Sequence, residues 1–326
     1  MIRIGLIGAG WVTQHHLDAY KALTDRAQVV AIADPLAEAR HTRAQAYGIP
    51  QTYADAAEML AREALDAVDI ATPRASHVAM CRLAASKSLA VLCQKPLAPS
   101  HDQARALVSE WPPGVRLMVH ENWRFRPHYR QIRQWLDAGR IGPVRQVLMT
   151  IFTSGLKPDA AGKLPAVVRQ PFFATEERLL LMEVMIHHVD TLRFLLGPLA
   201  LDGARLGHAC PGVRGEDRAT LMMSSPQGAA VVLTGDFMAT GYPAAQFDRL
   251  EIFGETGTIR LSGTTLELIG ATPVTQQVDL DANYKASYRG AISHFLDCLA
   301  SSAPFETSPA DNLETLRLVE EAYARG

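Results

Sequence analysis

The sequence predicts a doubly wound parallel α/β sheet (a Rossmann-type arrangement) followed by an α+β domain with a mainly antiparallel sheet. Three observations carry this. A short apolar strand, Ile2, Ile4, Leu6 and Ile7, runs straight into the glycine turn Gly8-Ala9-Gly10-Trp11-Val12-Thr13 and a helical stretch. Strand and helix patterns then alternate through the first third of the chain, which means parallel strands joined by right-handed crossovers. Near Asn122 the rhythm changes to longer strand-like runs with few helices between them, and such runs pair antiparallel. The expected domains are therefore residues 1–122 and 123–326.

The elements follow in order. Gln28–Ala33 is the second strand and Leu36–Tyr47 an Ala/Arg-rich helix. Ala67–Ala71 reads as a buried strand closed by Thr72-Pro73, then a helix near Ser76–Ala85 and a strand at Leu89–Cys93. Ser100 is placed to cap a helix running to Glu110, and Val115–Val119 is the next strand. Past Asn122, a helix carries Ile132, Trp135 and Leu136 and ends at Gly139. Strands follow at Val144–Thr153, Ala219–Ser224, Ala229–Phe237 and Leu250–Phe253. The last turns through Gly254-Glu255-Thr256-Gly257 into Thr258–Leu261 as a hairpin. Helices are expected near Arg178–Leu196, Tyr288–Ser301 and Pro309–Ala324.

Composition narrows the function classes. A chain of 326 residues has room for about two domains. Its 48% hydrophobic and 20% charged content is that of an ordinary globular protein. A net charge of −2 gives no basic field for nucleic acid or an anionic membrane. The scattered Cys81, Cys93, Cys210 and Cys298 lack metal-ligand spacing and suit reduced thiols in the cytoplasm. No apolar run is long enough to span a bilayer.

The glycine turn points to a dinucleotide cofactor. Gly8 permits a tight turn, and Gly10 leaves room for a pyrophosphate to approach backbone N–H groups, those of Trp11 and Val12 included, at a helix N-terminus. Thr13 stands where a third glycine usually allows close helix–strand packing, so slightly wider packing is expected. Asp34 ends the second strand, where a carboxylate accepts hydrogen bonds from ribose hydroxyls and repels a 2′-phosphate. Pro35 follows with no adjacent Arg or Ser, so NAD is expected over NADP. In a doubly wound sheet ligands sit at the carboxyl ends of strands. Thr72, Pro73, Gln94, Lys95 and Asn122 lie at such ends, with His77 beside Thr72-Pro73.

Two groups carry candidate chemistry. Pro96 stops its strand and fixes the backbone after Lys95, whose ammonium can then hydrogen-bond a substrate hydroxyl. Glu183 and His187 are one helical turn apart and share a face, with Asp190 one turn further. A carboxylate and an imidazole there suit polyol binding and proton transfer. No cysteine or second histidine matches their spacing, since His188 points away from His187, so no metal is expected. Trp123 is a candidate sugar-ring wall and Arg124 a hydroxyl or carboxylate ligand, with a packed hinge as the competing reading. The loop Arg169-Gln170-Pro171-Phe172-Phe173 is placed to close over substrate, and its irregular neighbourhood from Gly155 onward, residues 155–177, suits a lid or a subunit contact.

Taken together these motifs resemble the glucose–fructose oxidoreductase/inositol dehydrogenase/rhizopine catabolism (Gfo/Idh/MocA) family over nearly the whole chain. They are the glycine turn with His15-His16 after it, Ala71-Thr72-Pro73 followed by His77, Gln94-Lys95-Pro96, Glu183 through His187 to Asp190, and Glu251-Ile252-Phe253-Gly254-Glu255-Thr256-Gly257. The resemblance implies that Lys95 and His187 are the catalytic pair and Glu183 a substrate ligand. It also implies an open sheet in the second domain that packs against other subunits, as a homodimer or homotetramer. Three positions depart from the family pattern. Gln94 replaces a glutamate, removing a negative charge beside Lys95. Glu183 replaces an aspartate, lengthening the carboxylate by roughly 1.5 Å. Met185 replaces a small residue and is expected to narrow the pocket.

The expected function is an NAD-dependent dehydrogenase of a sugar, polyol or related hydroxy compound, first of all an aldose oxidised to its lactone and of pentose size. The alternatives are an NAD-assisted lyase or glycosidase that oxidises C3 transiently, and a non-catalytic nucleotide-sensing protein.

Overall fold

The computed structural model describes every residue except Gln246. The chain divides into two compact units that are not contiguous in sequence. One is Met1–Arg126 with Tyr284–Leu316; the other is Pro127–Asn283 with Arg317–Gly326. The expected cut at 122/123 lies close to the first crossing, but a single cut does not contain the return of residues 284–316.

The first unit alternates β1 (Ile2–Ile7), α1 (Thr13–Lys21), β2 (Ala27–Ala33), α2 (Ala37–Tyr47), β3 (Gln51–Tyr53), α3 (Ala56–Arg62), β4 (Ala67–Ile70), α4 (His77–Ala85), β5 (Ala90–Gln94), α5 (His101–Ser109) and β6 (Leu117–His120). All six strands are parallel, in the order β3-β2-β1-β4-β5-β6. Ile4, Leu6 and Ile32 are fully buried, each contributing about 1.5–3 kcal/mol by leaving water. Ser100 caps α5 as expected, its hydroxyl accepting from the Gln103 N–H at 3.3 Å. Asp55 caps α3 in the same way through the Glu58 N–H. That cap, and the acid at its third helical position, were visible in the sequence as Asp-x-x-Glu.

The second unit holds α6 (Pro127–Asp137), β7 (Val144–Phe152), α7 (Pro165–Arg169), a π-helical turn (Leu180–Met185), α8 (Ile186–Leu196), β8 (Ala200–Gly207), β9 (Arg218–Ser224), β10 (Ala230–Asp236), β11 (Asp248–Gly254), β12 (Thr258–Ser262), β13 (Thr265–Ile269) and β14 (Val274–Gln277). Its eight strands run β14-β13-β12-β11-β7-β10-β9-β8, antiparallel except for β7 with β10. Leu221, Leu233, Met149 and Leu250 lie side by side in register and are buried. The strand alternation turns the neighbouring row, Met222, Val232 and Leu148, to the other face, where Met222 is 53% exposed.

Two helices close the chain, α9 (Leu280–Ser301) and α10 (Pro309–Arg325). From Tyr288 to Cys298, α9 contributes Tyr288, Ile292, Phe295 and Leu296 to the same core as Ile4, Leu6 and Ile32. This is why residues 284–316 belong with the first unit. Among the described residues no helix is long and apolar enough to cross a membrane. The four cysteines are free thiols, all buried.

Candidate active site

The glycine turn is held as the sequence suggests, with one addition. Gly8 has φ +106°, and a Cβ there would come within 2.4 Å of the Ala71 carbonyl oxygen, so both backbone and space demand glycine. A Cβ on Gly10 would meet nothing within 4 Å. The Thr13 side chain is fully buried and its hydroxyl donates to the Gly8 carbonyl at 3.2 Å. The bulk that replaces the third glycine is thus turned into a tie on the turn itself. No side chain caps the first turn of α1. Open backbone around Gly10 leading into an uncapped helix start fits a pyrophosphate.

Asp34 works on both sides of the turn. Its carboxylate accepts the Ala9 N–H and the Leu36 N–H, each at 2.8 Å. No Arg or Ser is adjacent in sequence, yet two arginines approach in space. Arg40 donates to the Asp34 and Pro35 carbonyls at 3.1 and 3.3 Å, and Arg43 to the Gly10 carbonyl at 3.2 Å. Neither arginine is adjacent in sequence; α2 carries both back to the turn. Trp11 is 41% exposed and meets His15 edge-on at 4.8 Å. His15 also packs on Tyr284 and Tyr288. Burial, reinforced by neighbouring His16, pushes the His15 pKa down to about 4, so the ring packs as a neutral aromatic at ordinary pH.

At the ends of β4 and β5, several expected cofactor contacts prove to be supports. His77 is 1% exposed and places Nδ1 2.7 Å from the Pro96 carbonyl and Nε2 2.9 Å from the Thr72 carbonyl. It joins the two strand ends from inside rather than presenting a nitrogen to a ligand. Thr72 itself is half-buried, with its hydroxyl accepting from Ser76, and Pro73 is exposed. Asn122 is buried and donates to the Ser287 hydroxyl at 2.8 Å. Gln94 also turns inward. Its Nε2 lies 2.8 Å from His16 Nε2 and 3.2 Å from His120 Nδ1, while its Oε1 accepts the Lys95 N–H at 3.1 Å. The carboxamide therefore bears on the Lys95 backbone, not on its ammonium. Lys95 is half-buried, and its bond to Pro96 is cis.

The pairing behind Gln94 was not anticipated. His16 Nδ1 is 2.8 Å from Asp69 Oδ2, and both side chains are fully buried. Tyr20 faces the same carboxylate, its pKa raised well above the usual value by burial and then by Asp69. The signal lay in β4, where a lone carboxylate in an apolar strand must find a partner.

In the second unit, the expected continuous helix from Arg178 is a π turn followed by α8. Glu183 sits half-buried in the π turn, while His187 and Asp190 lie on α8 at 8% and 1% exposure. The step from Glu183 to His187 crosses the junction. An i→i+5 turn is wider than an α turn, so four residues fall short of the revolution that would stack them. Met185 is fully buried, its sulfur 2.9 Å from where a Gly235 Cβ would stand. It fills space over β10 and presents no surface, so the narrowing expected of it does not come from its side chain. His188 points away from His187, its Nε2 3.2 Å from Asp248 Oδ1. Among the described residues no group of three His, Cys, Asp or Glu side chains could hold a metal.

Trp123 and Arg124 are packed within the first unit. Arg126 covers the Trp123 ring at 3.5 Å, leaving that face closed to a sugar. Arg124 is buried and bonds Asp311 Oδ2 at 2.6 Å and the Glu306 carbonyl at 3.3 Å. A buried guanidinium committed to this carboxylate is not available to orient substrate.

A parallel sheet in this strand order takes dinucleotides outside the carboxyl ends of its strands, at the point where the order reverses. Gly8, Asp34, Thr72 and Lys95 all follow such ends, which places the chain among dinucleotide-binding α/β enzymes. Residues 2–119 match the oxidoreductase family with an NAD-binding Rossmann fold, and residues 129–260 match the GFO/IDH/MocA C-terminal domain. The chain belongs to the Gfo/Idh/MocA family of NAD-binding oxidoreductases. It is 34% identical to a D-apiose dehydrogenase of Paraburkholderia graminis, over 98% of this chain and 86% of that one. It is 28% identical to an inositol 2-dehydrogenase of Rhizobium meliloti, over 98% and 96%. An oxidoreductase of Agrobacterium radiobacter, solved with NAD+, L-tartaric acid and magnesium, superposes with a TM-score of 0.90 at 30% identity, covering 99% of this chain and 96% of that one.

Proposed function

We propose that this protein is a cytoplasmic, NAD-preferring dehydrogenase that oxidises a pentose-type aldose, D-apiose being the first candidate, at its anomeric carbon to the lactone. One observation carries the reading. Lys95 stands at the end of β5 with its backbone gripped on both sides, by Gln94 at its N–H and by His77 at the next carbonyl. A lysine on a surface strand end needs no such grip; one that must meet a substrate oxygen does. The likeness to D-apiose dehydrogenases supplies the sugar. When bound, NAD supplies the hydride acceptor. In this reading His187 takes the hydroxyl proton, Lys95 hydrogen-bonds the same oxygen, and Glu183 orients a neighbouring hydroxyl.

The test is a panel of D-apiose, other aldoses, polyols and inositols with NAD and with NADP, following absorbance of the reduced cofactor. D-Apiose with NAD should give the highest kcat/KM. Preference for an inositol would overturn the substrate, and preference for NADP would assign Arg40 and Arg43 to a 2′-phosphate. NAD binding with no turnover of any compound would favour the nucleotide-sensing alternative.

The row of exposed Met222 with half-buried Val232 and Leu148 supports assembly through the second sheet, as a homodimer or homotetramer. Met222→Glu should lower the mass seen by analytical ultracentrifugation. A wild-type monomer at micromolar concentration would end the proposal.

A further inference from the structure

We propose that Gln94 is a positioning residue: its carboxamide links the Lys95 backbone to the buried His16–Asp69 pair and holds His16 as the neutral Nδ1–H tautomer. The proposal rests on the reading of Lys95 as the residue that meets substrate oxygen.

The hydrogen-bond roles follow from a single orientation. Lys95 N–H is a donor, so the atom of Gln94 that faces it at 3.1 Å must be the acceptor Oε1. The amide nitrogen then faces the two imidazoles, with one hydrogen for His16 Nε2 at 2.8 Å and one for His120 Nδ1 at 3.2 Å. Both ring atoms must accept. A His16 whose Nε2 accepts carries its proton on Nδ1, 2.8 Å from the Asp69 carboxylate. Turning the amide over would set N–H against the Lys95 N–H and remove its acceptor. Each polar atom of the carboxamide is used, and Gln94 is only 6% exposed.

The surroundings make this orientation durable. His16, Asp69 and His120 are each fully buried. The groups that face His16 are Asp69, Gln94, His120 at 4.3 Å between ring centroids and Tyr288 at 5.5 Å; neighbouring His15 adds repulsion between the two imidazoles if both are charged. Tyr20 faces Asp69 from the same helix as His16. A glutamate at this position would set its charge against His16 and draw a second proton onto that ring. The neutral amide spares the site that change and still holds the Lys95 N–H. Lys95 is thereby positioned by hydrogen bonds that do not depend on the charge of the cluster.

The experiment is nitrogen-15 histidine NMR on the full-length protein, with the His16 signal identified by its loss in His16→Gln, together with kinetics on the best substrate of the panel. The wild type should show His16 protonated on Nδ1 alone at neutral pH, and Gln94→Glu should show it protonated on both nitrogens. Gln94→Leu, which removes the acceptor for Lys95 N–H, should lower kcat by roughly 10–100-fold with NAD affinity unchanged. Gln94→Glu keeps that acceptor and should lose under about tenfold. A wild-type His16 protonated on Nε2, or a Gln94→Leu enzyme with full kcat, overturns the proposal. The NMR arm needs no substrate, so it decides the amide's orientation even where the panel fails. Full activity in Lys95→Met with the expected spectra overturns the role assigned to Lys95 and the positioning with it.

Discussion

Lys95→Met and His187→Asn are each expected to lower kcat by roughly 10²–10⁴-fold, the range associated with a positioned proton-transfer group. Methionine keeps the apolar stem of Lys95 and removes only the ammonium. The backbone ties that hold the site, from Gln94 to the Lys95 N–H and from His77 to the Pro96 carbonyl, involve no atom beyond Lys95 Cβ. Those ties survive the substitution, and the loss should fall on kcat. The double variant separates two mechanisms. If both groups serve the same proton, the double loss is little larger than the greater single loss; if each acts alone, the two losses multiply. Stopped-flow measurement of the hydride step in the four proteins reads this directly. Wild-type hydride transfer in Lys95→Met would remove the lysine from the chemistry.

Most of the scaffold was legible because its signals are local. Alternation of apolar strand and helix, a glycine turn and an acid at the second strand's end demand only a short window, and β1, β2, β4, β5 and β6 appear where they are read. The short edge strand β3 and the polar β14 were missed because neither carries a full apolar alternation. The site was legible in its residue types and less so in its contacts. His77, Gln94 and Asn122 stand at strand ends as expected, yet their side chains bond protein groups, since hydrogen-bond partners are set by tertiary neighbours up to 165 residues away. Arg124 looked like a ligand because its partner Asp311 comes from the far end of the chain. The π turn was hidden for the same reason: Glu183 and His187 have helical spacing, but what stabilises the wider turn is a residue more than thirty positions away.

That residue is Glu216, and its replacement by alanine should be among the most damaging single changes in the second unit. Three successive N–H groups enter the π turn without a side-chain cap of their own. Glu216 takes all three. Its carboxylate accepts from Leu179 at 3.2 Å and Leu181 at 2.9 Å, and its own carbonyl accepts from Leu180 at 3.1 Å. The Tyr323 hydroxyl donates to the same carboxylate at 2.6 Å. Burial, and then the Glu216 charge, pushes the Tyr323 pKa far above its ordinary value, so the phenol remains a donor. Gly215 lets the loop come this close: a Cβ there would stand 2.7 Å from Leu179 Cβ. Removing the carboxylate strands two buried amides and a phenol, a loss of about 3–5 kcal/mol. Glu216→Gln keeps one strong acceptor and should cost about 1–2 kcal/mol. Because the freed turn carries Glu183, KM for the sugar should rise in both variants more than kcat falls. Urea unfolding and steady-state kinetics on the pair test this, and an alanine variant with wild-type stability and KM would show that the π turn holds itself.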